Sequence, residues 1–337
     1  MMCQGQRRLV GFVALSQPRP MRFRSLVSAL LRKATILVSR DPSTRYDLWR
    51  YVRCRFDLVE GTWLQKADDT RRPGFSFLVA HKDCIEFLEL CIQSICRHAA
   101  GLDYEIIVVD DGSQSPDLAR IAKLSPRLSL HRFDAGAGHP NALQWLYCRA
   151  RAPYVVIMDQ DAVLLDGHWD HFLAEFHRHP ELLLIGVRDQ CRLRNSPQML
   201  HPSFILANKA RCDAVLRPPF FFGAKPKAAI YRFEPEEAYY AFFCKALAHH
   251  PGSIRYLEQY QTNYGFGTVA YLDRPEQPVI YHQWYSGRVH ALGDDDTIER
   301  FRVGDLRGAT ERFLKDQREG AVDLSPRTTA PDIRRQS

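Results

Sequence analysis

From residue 75 onward the chain alternates two hydrophobic rhythms. Short continuous apolar runs stand at 75–80 (FSFLVA), 105–110 (EIIVVD), 128–133 (LSLHRF), 154–159 (YVVIMD) and 182–187 (LLLIGV). Such runs are the pattern of strands buried on both faces. Between them lie stretches whose apolar residues recur three and four apart, the spacing of an amphipathic helix. These are 84–96, where Ile85, Leu88, Ile92 and Ile95 share a face, then 116–124, 140–150 and 169–179. Ser115, just ahead of Pro116, is the expected N-cap of the second. Strands alternating with helices predict an α/β fold, a Rossmann-like, mostly parallel sheet flanked by helices. From about 190 the regularity fails. A Pro-rich stretch at 217–227 and a Tyr-rich one at 256–267 predict irregular, site-building structure.

The chain ahead of this block is different in kind. Residues 22–38 (RFRSLVSALLRKATILV) place Phe23, Leu26, Val27, Leu30, Leu31, Ala34, Leu37 and Val38 at helical spacing, with basic residues off that stripe or at its edge. This predicts a basic amphipathic helix, either lying in a membrane interface or packed on the main domain or a partner. Arg71-Arg72-Pro73-Gly74 is turn punctuation. The expected division is a basic N-terminal segment at 1–72, a main domain at 73–290, and a C-terminal helix with a disordered tail at 291–337.

Composition changes this picture in three places. The 337 residues are 45 % apolar and 25 % charged, which suits a soluble globular protein with a sizeable core. The net charge of +7 is uneven: residues 1–72 hold +9 and the remainder −2. A nucleic-acid-binding domain would carry its basic charge on the domain itself, so nucleic acid is not an expected partner, and the asymmetry points to contact of the first segment with an anionic surface. The nine cysteines lack the paired spacing of a zinc site and read as reduced thiols. That predicts a cytoplasmic protein, with peripheral contact to the inner face of the cell membrane open to it. No run of 18 apolar residues suggests a membrane span.

The chemistry lies in two acidic pairs. Asp110-Asp111 and Asp159/Asp161 each follow an apolar run. In an open α/β sheet, ligands bind outside the carboxyl ends of the strands. Carboxylates gathered there need cations or hydrogen-bond donors. Either a hard divalent metal or a ligand rich in N–H and O–H groups, such as a uracil base and a ribose, meets that need. Each pair alone could equally be a turn former or a helix cap.

With VVDDGS at 108–113, DQD at 159–161 and GAGHPNAL at 136–143 between them, the chain resembles a family 2 glycosyltransferase of the GT-A fold. The likeness spans about residues 74–190. It departs after the first strand, where VAHKD (79–83) stands in place of the family's Pro and Tyr-Asn. The resemblance implies a nucleoside diphosphate sugar donor, UDP-linked by preference, and a glycan, lipid-linked or protein acceptor, with cell-surface polysaccharide biosynthesis as a setting. It implies that Asp111, beside Asp110, accepts the base N–H, that Asp159 holds the ribose hydroxyls, and that Asp161 binds Mn²⁺ or Mg²⁺. A late histidine, His282 in VIYHQWYSGR (279–288), would add a metal ligand. Arg288 would clamp the diphosphate, and Trp284 with Tyr285 would stack a sugar. For each of these four a structural or surface role stands as the alternative.

Transfer with inversion needs a carboxylate to take the acceptor's proton. Glu236 and Glu237 in FEPEEAYY (233–240) are the catalytic candidates, with Glu234 in the same cluster and Glu258 as another option. Carboxylates in a first helical turn also simply complement the helix dipole. The region 200–266 is the expected acceptor wall. Two rivals remain: a sugar-nucleotide binder without catalysis, and a phosphotransferase of the haloacid dehalogenase type, whose D-x-D motif ends the first strand.

Overall fold

The computed structural model describes residues 51–57, 59–67, 72–114, 117–189, 199–216, 240–265, 267–274, 276–283 and 303–322. At its centre is β2 (Phe75–His81), every residue of which is buried. It pairs in parallel with β3 (Tyr104–Asp110) on one side and β5 (Tyr154–Asp159) on the other, and β3 pairs in parallel with β4 (Leu128–Phe133). The alternation of β2 shows why its apolar run is unbroken. Phe77 and Val79 face α1 (Ile85–His98) and α4 (Trp169–Arg178), packing with Leu88, Ile92, Ile95, Phe172 and Phe176. Leu78 and Ala80 face α3 (His139–Arg149) and pack with Leu143, Trp145 and Leu146. A strand covered on both faces has no polar side to show.

Outside this parallel block the described pairings turn antiparallel, except that of Leu184–Val187 with Ile254–Leu257, which is parallel. Beside β5 lies β8 (Leu200–Asn208), then β7 (Leu184–Arg188), β9 (Ile254–Gln261), β10 (Gly267–Tyr271), β11 (Pro278–Gln283) and the three-residue β6 (Ala162–Leu164). At the opposite edge β1 (Gly61–Gln65) pairs antiparallel with β4. The order among the described residues is β1-β4-β3-β2-β5-β8-β7-β9-β10-β11-β6. Further helices are α2 (Leu118–Ala122), α5 (Lys209–Val215), α6 (Tyr240–His249) and α7 (Val303–Arg318). None of the described helices is long and apolar enough to cross a membrane, and the described cysteines form no disulfide.

Two expectations are corrected. The cap of α2 is Asp117, whose Oδ1 accepts from the Arg120 amide, rather than Ser115. The helix therefore starts two residues later, where a short acceptor can reach the amide three residues on. The described residues from 199 onward are also more regular than their composition suggests, while the Pro-rich stretch at 217–227 lies outside the described residues. β8 is a buried strand, and the mixed burial of β9 breaks the continuous apolar signature. Residues 51–57 and 59–67 pack on the main domain. Cys54 and Val59 are core residues, and Asp57 accepts from Trp145 Nε1 at 3.1 Å and faces Arg149 Nη2 at 2.7 Å. The amphipathic stretch at 22–38 lies outside the described residues.

At the amino end of the sheet, Glu105 ties three strands together. Buried to 5 % exposure, it accepts from Ser76 Oγ at 2.6 Å, from the Arg151 amide at 3.1 Å and from Arg151 Nε at 2.9 Å. Ser76 Oγ in turn accepts from the Ala152 amide at 3.1 Å. Removing this carboxylate strands donors in a buried place, and hydrogen bonds to charged groups are worth about 1.5–3 kcal/mol. Glu105→Ala is expected to lower stability by about 2–3 kcal/mol, read by urea denaturation. A loss below roughly 0.5 kcal/mol would show that the network contributes nothing.

Candidate active site

The parallel register brings three strand ends level: His81 stands beside Asp110, and Ala80 beside Asp159. The first acidic pair divides its work. Asp110 is fully buried and turns inward. Ser113 Oγ donates to its Oδ1, Arg132 Nε lies 3.6 Å from its Oδ2, and His81 Nε2 lies 4.0 Å from Oδ1. Asp111 faces the loop after β4, accepting from the Ala137 amide at 2.6 Å and the Gly138 amide at 3.1 Å. Gly112 (φ 73°) makes this docking feasible, because a Cβ there would meet the Gly136 nitrogen at 2.5 Å. Burial pushes the Asp111 carboxyl up, and the two amides and the Lys82 ammonium offset this only in part.

The middle residue of the DQD turn is a tie between strands. Gln160 Oε1 accepts from the Lys82 amide at 3.0 Å and lies 2.8 Å from His81 Nδ1, while its Nε2 donates to the Lys82 carbonyl at 3.1 Å. Burial holds the His81 pKa below its ordinary value, against the opposing pull of Gln160 and Asp110. The turn after β5 is thus clamped to the end of β2, and the flanking aspartates are held at fixed height.

Around those aspartates three imidazoles gather. β8 runs antiparallel to β5, so its beginning lies where β5 ends, and His201 Nδ1 stands 3.8 Å from Asp159 Oδ2. β6 follows the turn and pairs with β11, with Ala162 opposite His282. His282 Nε2 lies 3.2 Å from Asp161 Oδ1 and 3.9 Å from Asp159 Oδ2. His139, at the start of α3, places Nε2 3.4 Å from Asp159 Oδ1. One ligand atom each from Asp159, His201 and His282 lies within 4.8 Å of the others, close enough for one metal ion.

The electrostatics of this cluster are those of a cation site. Burial disfavours charge on His282, but Asp161, Asp159 and the field of Asp189 outweigh it and raise its pKa. Burial, then the neighbouring His282, depress His201 to about 3. Burial also opposes charge on Asp159, yet its bond to His139 and the field of the imidazoles hold its carboxyl low. His139 is raised as well, with burial working against the pull of Asp159, Asp111 and Asp161; its half-exposed ring leaves that pull partly screened. The carboxylates thus draw positive charge to one spot. A divalent cation bound there would compete with a proton for His282. The Asp159 carboxylate and the imidazoles of His201 and His282 form a donor set that fits Mn²⁺ or a similar metal, with Asp161 beside His282.

Of the residues singled out from sequence, Asp110, Asp111, Asp159, Asp161 and His282 come together at this end of the sheet. Glu236, Glu237, Trp284 and Arg288 lie outside the described residues, as do Glu234 and Tyr285. Glu258 is on β9, exposed and paired with Arg188 Nε at 2.7 Å. Sequence reasoning missed His201, His139 and Gln160. The signal for His201 was a histidine-proline step ahead of the apolar run SFILA, which marks a strand entering at the site. His139 opens a helix after a Gly-rich loop, a place where side chains face the strand ends.

Residues 76–240 match the model of glycosyl transferase family 2. No curated protein matches the chain in sequence. Among solved structures, the chain is similar to S. aureus TarS at 16 % identity and a TM-score of 0.42, covering 71 % of this chain and 42 % of that one. It therefore spans less than half of that TarS structure. A mannosyltransferase, PcManGT from Pyrobaculum calidifontis in complex with GDP-Man and Mn²⁺, shows 14 % identity and a TM-score of 0.40 over 90 % of this chain and 88 % of that one. M. tuberculosis glucosyl-3-phosphoglycerate synthase shows 16 % identity and a TM-score of 0.40 over 55 % and 70 %. The family reading rests on the sequence match and not on these distant structures: residues 76–240, just under half of this chain, match glycosyl transferase family 2.

Proposed function

We propose that the chain transfers a sugar, with inversion and with the help of a divalent metal, from a nucleoside diphosphate sugar to a glycan, lipid-linked or protein acceptor. UDP is the favoured nucleotide, and cell-surface polysaccharide biosynthesis the favoured setting. The observation that carries this reading is the convergence of Asp159, Asp161, His201 and His282 beside Asp111, at the strand ends of a family 2 domain.

Asp111 keeps lone pairs beyond those used by Ala137 and Gly138, and they suit a base N–H. Asp159 would hold the ribose hydroxyls and, with Asp161, His201 and His282, the metal. When bound, the metal supplies Lewis-acid stabilisation of negative charge on the departing diphosphate. Trp284 would stack the sugar, Arg288 would hold the diphosphate, and Glu236 or Glu237 would take the proton of the acceptor hydroxyl. Two imidazoles in the donor set favour Mn²⁺ over Mg²⁺, which prefers oxygen ligands and retained waters. The basic first segment would hold the enzyme peripherally on an anionic membrane face in the cytoplasm, each Lys or Arg there adding about 1 kcal/mol.

Three outcomes are expected. Asp161→Ala should cut Mn²⁺-dependent transfer at least about 100-fold, since the loss of even an outer partner of a metal costs 10–100-fold; wild-type turnover in a sugar-transfer assay would overturn the assignment. Calorimetry of nucleotide binding should show Mn²⁺ preferred to Mg²⁺, and His201→Ala should shrink that preference by about tenfold. An unchanged ratio would remove His201 from the donor set. Binding of the full chain to anionic vesicles should weaken steeply with salt, and salt-insensitive binding would count against the membrane reading.

A further inference from the structure

The strand that carries His282 is gripped from its other face. In β11, side chains alternate across the sheet. His282 points to the carboxylates, so its neighbours Tyr281 and Gln283 point away, toward α7. Both are completely buried. Phe313 of α7 stacks on Tyr281 with centroids 4.1 Å apart and planes 16° from parallel. Tyr281 OH donates to Gln283 Oε1 at 2.7 Å, and Thr310 Oγ1 of α7, whose shorter bond at 3.0 Å goes to the Leu306 carbonyl, lies 3.4 Å from the same oxygen. A second anchor runs from α7 to the β9–β10 turn, where Tyr264 OH donates to Asp316 Oδ2 at 2.7 Å and the Tyr264 ring meets Phe313 edge-on.

The main chain completes the link. The Gln283 amide donates to the Asp161 carbonyl at 3.1 Å. One residue, Gln283, therefore touches α7 through its side chain and the second DQD aspartate through its backbone, with His282 immediately before it. We propose that α7 is a positioning element for the metal-binding residues. It fixes the height of β11 through Phe313 and Thr310, and so sets the distance between His282 and Asp161. Phe313 and Thr310 are positioning residues, because neither touches the ligand atoms. The inference rests on the metal reading above.

The test is Mn²⁺ binding by the full chain in the presence of UDP, followed by the electron paramagnetic resonance of the ion. Thr310→Val keeps the shape of the side chain and removes the hydroxyl; Phe313→Leu removes the ring stack. Each is expected to weaken Mn²⁺ binding about tenfold, the lower end of the effect of partners behind the ligands, and to alter the resonance of the bound ion. Thr310→Ser should restore both. Arg307→Ala, on the exposed face of α7 where Arg307 pairs only with Glu311, should change neither. Mn²⁺ affinity and resonance equal to wild type in folded Thr310→Val would overturn the inference while leaving the metal site standing. A wild-type chain that binds no Mn²⁺ with UDP, or an Asp161→Ala chain that binds it equally well, would overturn the site reading and this inference with it.

Discussion

Buried carboxylates crowded at the end of a strand persist only where positive charge or donors meet them. Asp110, Asp111, Asp159 and Asp161 pose that demand four times over at one end of this sheet, and much of the local structure answers it. Asp110 is met by Ser113, Arg132 and His81, and becomes part of the scaffold. Asp111 is met by two loop amides, which orders the segment leading into α3. Asp159 and Asp161 are met by imidazoles from α3, β8 and β11. An imidazole can give up its proton to a cation, whereas an arginine cannot leave. Compensation by histidine at the second pair, and by amides and arginine at the first, separates a metal-ready place from a structural one.

The topology makes that separation reachable. A parallel block alone would bring only strand ends and the following loops to the site. Here β8 enters antiparallel beside β5 and β11 returns antiparallel beside β6, so a strand start and a second strand end join it. Both are rigid elements in a buried sheet, which suits ligands that must hold their geometry. Gln160 does the same for the turn itself: its amide reaches both backbone groups of Lys82, so the turn cannot drift relative to β2.

How far this was legible depended on whether a residue's environment was local in sequence. The strands from 75 to 188 and their helices carry their burial in plain apolar runs, and VVDDGS and DQD sit where those runs stop. His282 was legible for the same reason, as a histidine ending VIYH. His201 was not, because its role comes from antiparallel pairing with a strand some forty residues earlier, and nothing near it records that pairing. Asp110 reads in sequence as half of a pair, and the sequence does not show that it is the fully buried half, beside Ser113, Arg132 and His81. The placement of Asp57 under Trp145 and Arg149 was equally invisible, since nothing near Asp57 in sequence records those distant partners.

The late part of the chain shows a further limit. The run 278–283 reads as one more apolar strand, but its two faces serve different ends. One face carries His282 to the carboxylates, and the other offers Tyr281 and Gln283 to a helix that begins twenty residues on. Gln283 would look out of place in that buried run until its partners are known. It is fully buried, it meets Tyr281 and Thr310 on one side, and its amide holds Asp161 on the other. A polar side chain in such a position costs stability unless its bonds are made. Its Oε1 accepts from Tyr281 within β11 and meets Thr310 only when α7 is docked, so the strand that carries His282 and the helix share a buried polar contact.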